Sequence, residues 1–194
     1  MNADEFWMIL EASAHDGATP DRRLEILRQR LSRAPRRHLL DWAQLLDATR
    51  KPADTARLWR AADIIMPGHS GTDGFHDFQM WLVGLGRAAY EAAVADPDTL
   101  AAVPAVRRLA AIPYADRTDA DLPMWQELEG VAVEIGFDRP DLDGDVRDIL
   151  FEERAVLVRS GPNPDDLAWF RLKSTDLSRY YPRLWALFGS QWRD

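Results

Sequence analysis

Apolar residues recur every three to four positions along most of this chain, and that spacing predicts one helix after another. Phe6, Ile9, Leu10 and Ser13 share one face of a first helix that opens after Asn2 or Asp4. Pro20-Asp21 starts a second, with Leu24, Leu27 and Leu31 as its stripe, and Pro35 starts a third carrying Leu39, Trp42, Leu45 and Leu46. Proline suits the first helical turn because its missing N–H has no intrahelical partner there. Ala53 to Met66 forms a fourth helix, with Leu58, Ala62 and Ile65 inward, closed by Pro67-Gly68. The fifth is the longest, from about Thr72 to Ala95, and stops at Asp96-Pro97.

Short helices follow over 98–103 and 104–111. Met124, Trp125, Leu128, Val131 and Ile135 then fall at helical spacing, closed by Gly136. The Gly, Pro and Asp content of 136–145 marks a loop. Residues 146–159 read equally as helix or short strand, because runs this short do not reveal their period. Ser160-Gly161-Pro162-Asn163-Pro164 is a clear break, followed by aromatic-rich helices over 165–173 and 176–188. No alternating strand pattern recurs and no fixed-period repeat is visible. The predicted fold class is all-α: a single compact multi-helix domain, with residues 1–136 as the core. Residues 137–194 are an acidic loop and a C-terminal aromatic-rich helical segment packed on that core.

Composition sharpens this picture. A chain of 194 residues can bury a sizeable core, and 46% hydrophobic with 29% charged residues is ordinary for a globular protein. The eight tryptophans fall about one to each predicted helix, which suits large core side chains. A net charge of −8 repels phosphate backbones, so nucleic acid is not an expected partner. The charge is also uneven. Residues 116–148 hold eleven acids against three arginines, whereas 21–38 hold seven arginines against Asp21 and Glu25. With no cysteine, disulfides, thiolate metal ligands and Cys nucleophiles are excluded. The first residues, M-N-A-D-E-F-W, are acidic where a signal peptide is basic, and no apolar run approaches the roughly 18 residues of a membrane helix. A cytoplasmic protein without membrane contact is expected.

Candidate chemistry is sparse. There is no G-x-S-x-G elbow, phosphate loop or Rossmann glycine pattern. Asp138, Asp141, Asp143 and Asp145 around Gly144 suggest a calcium loop, but Arg139 would occupy its first position and Leu150 its twelfth, so the motif fails. What remains is G-H-S-G-T-D-G-F-H-D-F-Q-M-W-L at 68–82, which holds two of the chain's four histidines. On a helical wheel, Phe75, Phe78, Trp81, Leu82, Leu85 and Ala89 form a core stripe. Asp73, His76, Asp77, Met80, Gly84 and Arg87 lie opposite. One reading has Ser70 or Thr72 capping the helix, Asp73 in its first turn and the rest facing water. The other gathers His69, Asp73, His76 and Asp77 into a polar or divalent-metal site, with Arg87 further along the same face.

Phe6-Trp7, Leu58-Trp59 with Ala61-Ala62, Gly68, Asp73, Phe75, Phe78, Trp81-Leu82, Gly86, Tyr90 and Asp96-Pro97 together resemble the bacterial family catalogued as domain of unknown function 4240. The resemblance spans roughly residues 1–130 and implies no activity, ligand or catalytic residue. That family's pattern tends to have Ser-Asp-Asp before the first Phe and Arg after the second; here those places hold Gly71-Thr72-Asp73 and Gln79. The expected function is a non-catalytic protein-binding or regulatory module, monomeric or homodimeric, with no cofactor and no bound metal. Its expected partner is an unknown protein, met through Asp73, His76, Asp77, Arg87 and His69, with the acidic 116–148 region suited to a basic surface. The alternative is a metal-dependent, hydrolase-like enzyme using the His/Asp cluster at 69–77.

Overall fold

Helix α1 (Ala3–Asp16) begins at Asn2 because two side chains satisfy its free N–H groups reciprocally. Asn2 Oδ1 accepts from the Glu5 N–H at 2.9 Å, and Glu5 accepts from the Asn2 N–H at 2.9 Å. Thr19 and Pro20 open α2 (Pro20–Ser32), and Pro35 precedes α3 (Arg36–Arg50), as their sequences predict. The computed structural model describes residues 1–17, 19–142, 144–158 and 161–191. Among them are eleven α-helices, linked by 3₁₀ turns, and no strand, so the fold is all-α. No helix of the described residues is long and apolar enough to cross a membrane.

The fourth predicted helix is shorter than its pattern, with α4 running Ala56–Ile65 after a 3₁₀ turn at Lys51–Ala53. The long helix predicted over 72–95 is two. Helix α5 (Thr72–Gly84) stops, Gly86 takes φ +95, and α6 (Arg87–Ala95) starts in a new direction. A side chain at that positive φ is strained, so glycine there makes the break possible. Next come α7 (Pro104–Ala111), α8 (Glu127–Phe137) and α9 (Val146–Arg154). The ambiguous stretch is therefore helical to Arg154, where Ala155 turns left-handed at φ 53 and ends it. The aromatic tail forms a 3₁₀ turn (Leu167–Arg171), α10 (Ser174–Tyr180) and α11 (Pro182–Phe188). The expected carboxylate Asp143 and the break residue Ser160 lie outside the described residues.

Helix α5 packs against α3, α4, α6 and α8. Its Phe75, Phe78 and Leu82 are fully buried, while Trp81, Leu85 and Ala89 of the predicted stripe are only partly so. Of the tryptophans, Trp7, Trp42 and Trp125 are core residues; Trp59, Trp81, Trp169 and Trp185 are half-buried at its edge, and Trp192 lies outside the described residues.

The tail is tied to the rest by exchanged helix caps. Asp98, buried between α6 and α7, accepts hydrogen bonds from the N–H groups of Leu184 (2.8 Å) and Arg183 (3.1 Å) and from Arg183 Nε (2.9 Å). In return Asp166 accepts from the N–H groups of Ala56 and Arg57 at the start of α4. Each carboxylate thus meets the positive end of a helix supplied by the other segment. The Tyr181 hydroxyl donates to the Arg57 carbonyl at 2.7 Å, and Leu177, Tyr181, Leu184 and Phe188 are buried.

Candidate functional site

The N-cap of α5 is Gly71, which has no side chain to donate an acceptor. Ser70, expected to cap, turns its hydroxyl to the Asp63 carboxylate instead. Its carbonyl accepts from Trp59 Nε1. Burial pushes the Asp63 carboxyl up, against the opposing hydrogen bonds from Ser70 and Arg60. Thr72 is already the first helical residue and Asp73 the second, exposed in the first turn. The capping reading of Ser70 and Thr72 is therefore corrected, while Asp73 stands in the first turn as expected. Asp73 still gains from the positive end of the helix dipole, without closing a cap.

The face of α5 assigned to water is partly covered. Trp125 crosses it, its backbone N–H donating to the Asp77 carbonyl at 3.0 Å, and α8 follows directly. His76 is 5% exposed and its Nε2 lies 2.9 Å from Glu129 Oε2; Met80 is 1% exposed. The surface that Gly84 leaves open is taken by this chain's own Trp125, whose ring would stand 2.5 Å from a Cβ there. Among the five candidates, Asp73, His76 and Asp77 share the first turns of α5. His69 sits exposed in the preceding loop beside Tyr114 and Arg117. Arg87 lies beyond the helix break, paired with Asp4 and Glu91 at 2.8 Å each. Among the described residues no group of three or more His, Asp or Glu side chains is arranged to hold a metal ion.

The pattern along α5 did not disclose its carboxylate neighbours from α8. Burial raises the Asp77 carboxyl above the ordinary aspartate value; His76 opposes this, and Asp73, Glu127 and Glu129 add to it. Asp73, Asp77, Glu127 and Glu129 thus form one acidic edge where α5 and α8 begin, with His76 beneath it. A like-signed group of this kind attracts cations.

Sequence reasoning also missed a polar node beneath that edge. Asp47 (4% exposed), Arg50 (1%) and Gln79 (0%) are buried together. Gln79 accepts from Arg50 Nη1 at 3.1 Å and donates to the Ala53 carbonyl at 3.0 Å. Arg50 Nη2 and Asp47 Oδ1 stand 3.8 Å apart. A cavity of about 390 Å³ opens beside them between α3, α5 and α8, with Leu46, Met80 and Val133 among its walls. Arg50 falls in phase with Leu39, Trp42 and Leu46 on the apolar stripe of α3, and a charge on such a stripe was the available signal.

Fold and site define an all-α protein with an acidic edge on α5 and α8 and an adjoining polar cavity. Residues 1–135 match the family model described as "Protein of unknown function (DUF4240)", and the chain belongs to that family. Comparison with curated proteins and with solved structures returned no match.

Proposed function

We propose that the protein is a non-catalytic binding module whose partner is a basic protein surface, met by the acidic edge of α5 and α8. One observation carries this reading: Asp73, Asp77, Glu127 and Glu129 converge from two helices, Glu129 meets the buried His76 at 2.9 Å, and Arg147 beside Glu129 is itself paired with Asp145 at 2.7 Å. An acidic edge whose burial and like charges raise the Asp77 carboxyl is stabilised by an incoming cation. The arginines of 21–38 do not neutralise this edge. Arg28 pairs with Glu134 at 2.7 Å and Arg36 with Glu153.

The test uses a fluorescent Lys/Arg-rich peptide set against the wild-type chain and a D73N/D77N/E127Q triple variant. The wild type should bind basic peptides with an affinity that falls as salt rises. The variant should lose about tenfold or more while keeping its helical circular dichroism. Equal binding by the two proteins, or no basic peptide bound at low ionic strength, overturns the reading.

A further inference from the structure

The cavity between α3, α5 and α8 shares Glu127 and Glu129 with the acidic edge, and its lining changes character from inside to outside. Leu46, Met80 and Ala132 are buried at its inner end, with Ala43, Val133 and Val158 half-buried above them. Asp47 and Arg50 are buried there too, but the Asp47 carboxylate oxygens and Arg50 Nη2 have almost no accessible surface. They offer nothing to an occupant, and the inner walls that one would touch are apolar. Charge collects at the mouth, where Glu127, Glu134 and Arg147 are exposed and Glu129 partly so.

The charges of the mouth are not balanced. Arg147 is taken by Asp145 at 2.7 Å, Glu134 by Arg28 at 2.7 Å and Glu129 by His76 at 2.9 Å. Glu127 has no hydrogen bond or ion pair among the described residues. Asp77 is close enough for its carboxyl to feel the Glu127 charge. Gly130 lines the same cavity from the interior of α8. Glycine weakens a helix interior, and packing does not demand it here. Within 4 Å, a Cβ at Gly130 would meet only the Glu134 side chain, 3.4 Å away at its nearest.

We infer that this cavity seats one large apolar side chain of the partner protein, with lysine or arginine residues on either side of it meeting Glu127, Asp77 and Asp73. The inference rests on the binding reading above and narrows it: the recognised element is an apolar anchor inside a basic segment, rather than positive charge alone. About 390 Å³ has room for a leucine or phenylalanine side chain. An apolar anchor in a pocket that excludes water supplies most of the affinity, while the charges around it set orientation and rate of approach. Acidic flanks in the same place would meet Glu127 with like charge.

Three fluorescent heptapeptides test this on the full-length chain by anisotropy: Lys-Arg-Lys-Phe-Lys-Arg-Lys, the same peptide with Ser in place of Phe, and Gln-Gln-Gln-Phe-Gln-Gln-Gln. The basic Phe peptide should bind about tenfold or more tightly than either of the others, which is the order expected for burying one such side chain. In a ¹⁵N-labelled chain it should shift the amide resonances of Ala43, Leu46 and Val133, and the Ser peptide should leave them in place. Ala43→Leu fills the cavity from a half-buried position. It should remove the advantage of Phe over Ser while binding of the Ser peptide persists. Gly130→Leu fills the cavity from α8 and serves if the first variant does not fold; if neither folds, the wild-type shifts decide. Equal affinity for the two basic peptides overturns the inference and leaves the binding reading standing. A Phe advantage that survives in a folded filled variant, or that comes without shifts at the cavity, places the anchor elsewhere and refutes it. Binding of the Gln peptide as tight as that of the basic Phe peptide removes the basic flanks. If no basic peptide binds at low ionic strength, both readings fall together.

Discussion

Asp77 stands between two helix starts, and its position has a stability consequence of definite sign. Its carboxyl is raised by burial, opposed by His76 and raised further by Asp73, Glu127 and Glu129. A carboxyl whose folded pKa exceeds its unfolded one costs stability once ionised, so that cost is present at neutral pH. It disappears as pH falls through the folded pKa toward the unfolded value near 3.9. Asp77→Asn is therefore expected to raise the melting temperature at pH 7 and to give no gain near pH 3. A loss at pH 7 in thermal unfolding would mean that the charge of Asp77 is held by a favourable contact. Asp73 and His76 were legible as polar positions of α5. That His76 is buried was not, because burial on that face depends on α8, whose docking site no local pattern specifies.

Helix α5 is best understood by what covers both of its sides. Phe75, Phe78 and Leu82 pack one way, while His76, Met80 and Gly84 pack the other, under Trp125 and α8. Arg23 of α2 completes the arrangement. Its guanidinium stacks on Trp125 at 4.5 Å and donates to the Gly84 carbonyl at 2.8 Å, and burial lowers its pKa to about 10. A cation at the carbonyl end of α5 both satisfies a free acceptor and meets the negative end of its dipole. Gly84→Ala improves helix propensity yet drives a methyl into the Trp125 ring, so it is expected to cost about 1–3 kcal/mol in urea unfolding. Unchanged or increased stability would show that Trp125 moves aside freely. The helix break was the part of this element that its pattern hid. Apolar residues continue in phase through Leu85 and Tyr90, and the positive φ of Gly86 is a property that glycine permits without announcing.

At the scale of the molecule, the basic and acidic segments of the sequence find one another within the chain. Arg28 pairs with Glu134, Arg36 with Glu153, and Arg139 of the acidic loop donates to the Ala34 carbonyl at 2.6 Å. Exposed pairs of this kind contribute little each to stability. The tail is held more firmly, by the caps that Asp98 and Asp166 exchange and by the apolar residues beneath α11. Asp98→Ala removes a buried acceptor of three hydrogen bonds and is expected to cost about 2–3 kcal/mol. Amide exchange should then quicken in α11 before it does in α1–α3. Uniform loss of protection across the chain would mean that the tail and core unfold as one.

The amino-acid sequence by itself determined the class of fold and most helix starts. Proline, Asn2, Thr19 and the apolar period act over a few residues, and such local rules need no partner. It also determined the family, through aromatic positions that pack in the core. Tertiary structure alone decided where α5 ends, that His76 is covered and that Glu127 and Glu129 join Asp73 and Asp77. It alone placed Gln79 against Arg50 beside a cavity. Each of these depends on residues at least one helix apart, and the free energy that fixes them comes from burial between helices rather than from any stretch of chain alone.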